Sequence, residues 1–399
     1  MRFAVCHTNL GPYHLARLRT LAAALADRGG SLIVLEVASS EGRYPWKRSE
    51  GREPFDRAVL FPGRVLESIP GAACRRAMAE ALDRDRPDAV GVVGYSRPES
   101  AAMLAWARRE GRPAVLMSES QEDDRPRVWW KEAVKRRRVA MASAALVGGP
   151  SHAAYLVGLG LPADRIAVGY DAVDNDRFAR LAGAARTSPL GRSGLPDRPY
   201  FLAASRFVPE KNLPGLVAAF ATYRASIRSE PWDLALCGDG PGASALDRAV
   251  AAIGLDGSVH RPGFLQEEEL ARWLAHASAF ILPSLSEPWG LVANEAAACG
   301  LPLLVSDRAG CAATLVPDPP GTTGWRFDPG SIAAMAEALG RVASLDEPAR
   351  CAMGRRASAV VADWGPARFA SGVIEAIDLA SDRARTGPGR ARSSTRTGR

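Results

Sequence analysis

Two carboxylates and two cations have the types and spacing to do chemistry. Glu287 lies in a Ser-rich loop, and Glu295 follows after seven intervening residues on a small-residue helix. Arg206 and Lys211 share the loop Ser205-Arg206-Phe207-Val208-Pro209-Glu210-Lys211-Asn212. A carboxylate accepts hydrogen bonds from two hydroxyls at once. A cation meets charge that builds on a departing phosphate oxygen. The set suits breaking a bond between a hydroxyl-rich ring and a phosphate. Two glutamates alone would also suit a glycosidase's acid and nucleophile. The Arg/Lys loop argues against hydrolysis of a simple glycoside.

These residues need elements that bring loop ends together. Phe280 to Pro283 reads as an apolar strand ending in the Glu287 loop. A helix carrying Glu295 follows, Gly300 and Pro302 stop it, and Leu303 to Ser306 is a second buried strand. Arg206 and Lys211 lie between the strand Tyr200 to Ala204 and a helix from Leu213 to Tyr223. Open α/β sheets bind ligands at the carboxyl rim of their strands, and all four residues stand at such a rim.

The run from Glu287-Pro288-Trp289-Gly290-Leu291 through Glu295-Ala296 to Gly300 and Pro302 resembles the signature of retaining glycosyltransferases of family 4. Arg206 and Lys211 match that family's Arg-x4-Lys. Asp171 to Phe178 is similar to its N-G-V-D-x-x-x-F stretch, with Tyr170-Asp171 in place of Asn-Gly. That replacement occurs in members related to exopolysaccharide and lipopolysaccharide glycosyltransferases. The resemblance covers most of the chain. It implies the α/β GT-B fold, two Rossmann-like domains with parallel sheets facing a central cleft. It also implies transfer of a sugar from a nucleoside-diphosphate sugar, UDP-sugar favoured, to a hydroxyl of a glycan, glycolipid or small molecule. The same scaffold also hosts nucleotide-sugar epimerases and hydrolases, and transfer to a thiol, an inositol or a natural-product aglycone.

By the same resemblance Glu295 binds the nucleotide ribose. Glu287 either positions the donor sugar or stabilises the oxocarbenium-like state, with Arg206 and Lys211 on the pyrophosphate. Trp289, Gly290 and Leu291 line the phosphates or sugar, and Arg261 to Phe264, beside Gly240 and Pro241, reads the base. The first loop, with Asn9, Gly11 and His14, meets the diphosphate or the acceptor. His14 reads equally as a helix cap. Glu119 is the expected acceptor carboxylate, suited to hydroxyls or an amine, and Ser118 to Pro126 reads equally as a solvated loop. No cofactor is implied and metal-independence is expected, since neither Asp83-x-Asp85 nor Asp174-x-Asp176 occupies a metal position.

The repeated β-α alternation divides into residues 1–180, a linker 181–199 rich in Gly, Pro, Ser and Arg, and a second domain 200–364. Residues 365–380 read as a helix that the resembling fold sends back to the first domain. Residues 381–399 read as a disordered basic tail. Tyr44 and Trp46 sit in a polar excursion, Glu41 to Glu53, on the acceptor side. Residues 128–141 combine Trp129, Trp130, Lys131 and Arg136 to Arg138. They read as a membrane-surface helix or as a solvated helix whose tryptophans pack inward.

The 399 residues suffice for two cores. Six scattered cysteines without C-x-x-C spacing exclude a zinc site of that type and a disulfide framework. Apolar runs are too short to span a bilayer, and the opening residues read as a strand rather than a leader. A cytoplasmic protein is expected, peripheral to the inner membrane face if the 128–141 helix docks there. The net charge of +7 owes much to the tail, and basic residues are not interleaved with aromatics as in a nucleic-acid surface. Abundant Ala, Gly, Pro and Arg fits a GC-rich bacterial genome.

Overall fold

Short, nearly wholly apolar runs between amphipathic helices become strands covered on both faces. In the computed structural model, which describes residues 1–42, 51–124, 126–227 and 230–386, they build two parallel sheets. The first holds β1 (Arg2–His7), β2 (Ser31–Ser40), β3 (Asp56–Val65), β4 (Ala89–Val93), β5 (Ala114–Ser118), β6 (Ala144–Val147) and β7 (Ile166–Val168). Their order is β3-β2-β1-β4-β5-β6-β7. The second holds β8 (Tyr200–Ala204), β9 (Asp233–Cys237), β10 (Val259–Gly263), β11 (Ala279–Leu282), β12 (Leu303–Ser306) and β13 (Gly324–Phe327). Its order is β10-β9-β8-β11-β12-β13. The expected two-domain α/β fold is therefore observed.

Each order reverses once, between β1 and β4 and between β8 and β11. Loops leaving two such neighbours run to opposite sides and open a crevice. The Arg206/Lys211 loop follows β8 and the Glu287 loop follows β11, so the second switch point carries both.

Helices bury one stripe on each sheet face. In the first domain Leu18, Leu21 and Leu25 pack over Phe3, Val5 and Val34, while Met78, Leu82 and Leu104 cover Ile33, Leu35 and Val92. In the second, Leu216, Phe220 and Leu339 cover Phe201, Leu234 and Leu304.

Three segments differ from the sequence reading. The strand expected at Ala58 to Phe61 runs from Asp56 to Val65 as a half-exposed edge, paired to β2 alone. The segment read as an irregular linker begins inside a helix, Asn175–Thr187, whose first turn Asp174 caps by accepting from the Arg177 N–H at 3.0 Å. Phe178 and Ala182, one helical turn apart, bury against Tyr200 and Trp273 of the second domain. That buried stripe holds a helix where composition suggested loop. Around the third, Trp129–Val139, Trp129 is 83% exposed and Trp130 52%, so these tryptophans do not pack inward.

The helix Pro366–Thr386 lies on the first domain through Phe369, Val373 and Ile377. Tyr44, Trp46 and the tail beyond residue 386 lie outside the described residues.

Candidate active site

Lys211 and Glu287 meet directly: Lys211 Nζ ion-pairs with Glu287 Oε2. Ser284 Oγ donates to the same oxygen at 3.1 Å, and Ser306 Oγ fixes the Ser284 carbonyl at 2.7 Å. The Leu285 N–H donates to the Glu210 carbonyl at 2.8 Å, tying the two switch-point loops together. Glu287 is 8% exposed, so its carboxylate is a buried acceptor matched by one half-buried cation. Arg206 sits in the same loop as Lys211, half-buried.

Gly290 turns the chain into the helix Leu291–Ala298 with φ +102°, a left-handed backbone. A Cβ there would stand 2.7 Å from Leu282 Cδ2, so only glycine fits. The N-terminus of this helix lies beside Glu287, and the Ala293 N–H donates to the Gly290 carbonyl at 2.8 Å. The Trp289 indole lies between the domains, packed against Gly148 and Gly149 of the first and 6.0 Å from the His152 ring. It is 1% exposed, lies tilted by 32° with its ring centroid 4.9 Å from that of Trp364, and donates to Asn294 Oδ1 at 2.9 Å.

Glu295 is fully buried on that helix. Tyr13 of the first domain donates its hydroxyl to Glu295 Oε1, while Oε2 has no hydrogen-bond partner among the described residues. Burial raises the Glu295 carboxyl to about 8 against the opposing Tyr13 hydrogen bond.

Gly240, with φ +153°, presses on the Phe207 backbone, and exposed Pro241 follows. Phe264 is 40% exposed beyond β10, and Arg261 ion-pairs with Asp247 while donating to the Ala243 carbonyl at 3.4 Å. Gly240, Pro241 and Phe264 follow β9 and β10, while Arg261 lies within β10.

On the first domain, buried Asn9 and the half-buried His14 follow β1. His14 Nδ1 accepts from the Gly11 N–H at 3.0 Å, which caps the helix Pro12–Asp27 and leaves the ring proton on Nε2. Burial, with Arg17 beside it, lowers His14 to about 3. Glu119 follows β5 and neighbours fully buried Asp171, whose carboxyl burial and Glu119 together hold well above the usual range. Counted back from Val173 and Asp174, it is Asp171-Ala172, rather than Tyr170-Asp171, that stands in place of Asn-Gly.

Tyr13, Gln121 and His152 were not singled out from sequence, yet each reaches the second domain. Tyr13 adjoins the flagged Gly11 and His14, and Gln121 lies in the flagged acidic loop. Their partners are more than a hundred residues away, which no local pattern reports. Among the described residues no cluster of His, Cys, Asp or Glu could hold a metal ion, and no helix is long and apolar enough to cross a membrane.

Two facing Rossmann-like domains, with cations and paired glutamates at the second switch point, define a GT-B sugar-nucleotide enzyme. Residues 16–177 match the family model described as Glycosyltransferase Family 4, and residues 191–359 that described as Glycosyl transferases group 1. The D-inositol 3-phosphate glycosyltransferase of Pseudarthrobacter chlorophenolicus is 32% identical over 390 residues, covering 92% of this chain and 90% of the relative. An alpha-D-kanosaminyltransferase of Streptomyces kanamyceticus is 32% identical over 190 residues, 47% of each chain. Among solved structures, Anabaena HepE in complex with UDP and glucose aligns with TM-score 0.70 at 17% identity, covering 95% of this chain and 99% of that one. The chain belongs to glycosyltransferase family 4 and is a nucleotide-sugar-dependent glycosyltransferase.

Proposed function

We propose that the enzyme moves a sugar from a UDP-sugar to a hydroxyl acceptor with retention at the anomeric carbon, without a metal. The Lys211–Glu287 pair carries this reading, because it sets a cation and a carboxylate side by side at the switch point. Lys211 leaves Glu287 for the β-phosphate when donor binds, joined by Arg206 and the helix N-terminus after Gly290. These groups absorb the charge released as the anomeric bond breaks. Glu287 then accepts hydrogen bonds from the donor sugar's hydroxyls. Glu295 Oε2 accepts from the ribose. The rim of Gly240, Pro241, Arg261 and Phe264 meets the base, and Trp289, Gly290 and Leu291 shape the phosphate side. Asn9, Gly11, His14 and Glu119 face the acceptor.

HepE, a structural neighbour solved in complex with UDP and glucose, supports a UDP donor. A second reading, transfer to an inositol, is favoured by full-length relatives named D-inositol 3-phosphate glycosyltransferase. The exposed Trp129 and Trp130 beside Lys131, Arg136 and Arg137 favour a peripheral position on the cytoplasmic membrane face. Titration with UDP, GDP and ADP, then turnover of the matching glucose donors, tests the reading. UDP binding tightest supports it; tighter GDP or ADP binding refutes the donor assignment.

A further inference from the structure

The loop that carries Glu287 is held from both domains. Its side chain bonds within the second domain, to Lys211 and Ser284. The Glu287 carbonyl also accepts from the Gly310 N–H at 3.0 Å within the second domain, and the loop bonds to the first domain as well. Three successive residues each make a hydrogen bond to a different residue across the cleft. Ser286 Oγ donates to the Asp124 carbonyl at 3.1 Å. The Glu287 carbonyl accepts from Gln121 Nε2 at 3.2 Å. The Pro288 carbonyl lies 2.7 Å from His152 Nε2. His152 Nδ1 accepts from the Gly149 N–H at 3.0 Å, so its proton sits on Nε2 and is donated to Pro288.

Gln121 is the centre of this set. It is 7% exposed, and Nε2 donates a second bond, to the Arg308 carbonyl at 3.2 Å. Its Oε1 accepts from Ser151 Oγ at 3.0 Å. That fixes the amide's orientation, because the flipped amide would turn Oε1 onto two carbonyl oxygens. Gln121 also lies two residues beyond Glu119, in the loop read as facing the acceptor. The same short segment therefore faces one substrate and grips the loop that handles the other.

We infer that Gln121 is a positioning residue that sets Glu287 from the acceptor side, so that Glu287 is oriented for sugar transfer only while the two domains are engaged. The inference rests on the reading of Glu287 as the donor-sugar residue. It separates two properties that a purely donor-binding residue would change together. Nucleotide affinity comes from the second domain's rims and survives loss of Gln121. Transfer requires an ordered Glu287 and does not.

The test uses the full chain with Gln121→Ala and Gln121→Glu. The latter turns a carboxylate onto the Glu287 and Arg308 carbonyls while still accepting from Ser151. Amide hydrogen exchange is followed over residues 284–291, with the helix Leu213–Ser226 as the internal reference. Both variants are expected to exchange faster than wild type over 284–291 by about fivefold or more, with the reference helix unchanged. UDP affinity by calorimetry stays within about twofold, while turnover of the preferred donor falls about tenfold or more. Unchanged exchange over 284–291 overturns the inference. So does faster exchange across the whole second domain, the mark of a general structural role, and so does an equal loss of UDP affinity and turnover. Should wild type bind no nucleoside diphosphate, the donor reading fails, and the exchange comparison still decides whether Gln121 holds the loop.

Discussion

The Tyr13 hydroxyl of one domain donates to Glu295 Oε1 of the other, 282 residues away in sequence. The bond closes the cleft over a buried carboxyl that is raised to about 8 from an ordinary 4.5. A carboxyl whose folded value is raised contributes stability fully below the unfolded value, and that contribution is lost as pH rises through the folded one. Glu295→Gln keeps a neutral acceptor for Tyr13 at every pH. Melting curves taken from about pH 4.5 to about pH 8 should show wild type losing stability relative to the variant. Parallel curves would refute a proton on Glu295.

Lys211→Ala removes the cation that pairs with Glu287 and that is assigned to the β-phosphate of the bound donor. Turnover should fall by about a hundredfold to a thousandfold, the usual cost of deleting a group aimed at developing charge. Far-ultraviolet circular dichroism should remain that of wild type. A loss under about threefold would remove Lys211 from the leaving-group role.

Gly290→Ala tests the backbone that delivers the helix N-terminus. Its φ of +102° strains any residue with a Cβ, and a methyl group there would press on Leu282 Cδ2 at 2.7 Å. The variant should lose about 1–3 kcal/mol in denaturant unfolding, together with UDP affinity. Wild-type stability would mean that the loop relaxes at no cost.

The donor half was legible because its chemistry is local. Glu287, Gly290 and Glu295 fall within one strand-loop-helix turn, and Arg206 and Lys211 within one loop, so short local motifs that resemble the family's group them. The contributions of Tyr13, Gln121 and His152 were not, because each arises only when two separately folded sheets dock. Composition also misled at residues 181–187, which continue the helix Asn175–Thr187, because its buried Phe178 and Ala182 stripe outweighs the Gly and Arg that suggested a connection. His14 carried two readings, and its ring nitrogen is engaged in capping.

Trp129→Ser with Trp130→Ser tests the membrane surface. Both side chains are largely exposed, so the melting temperature should hold within about 2 °C. Wild type should co-sediment with phosphatidylglycerol vesicles and the double variant should not. Equal sedimentation of the two would assign the pair no lipid role.

The most direct measurement is a crystal structure of the enzyme grown with UDP. The account predicts that Lys211 leaves Glu287 for the β-phosphate and that the ribose hydroxyls reach Glu295 Oε2. A nucleotide bound elsewhere, with the Lys211–Glu287 pair intact and Glu295 untouched, would contradict it.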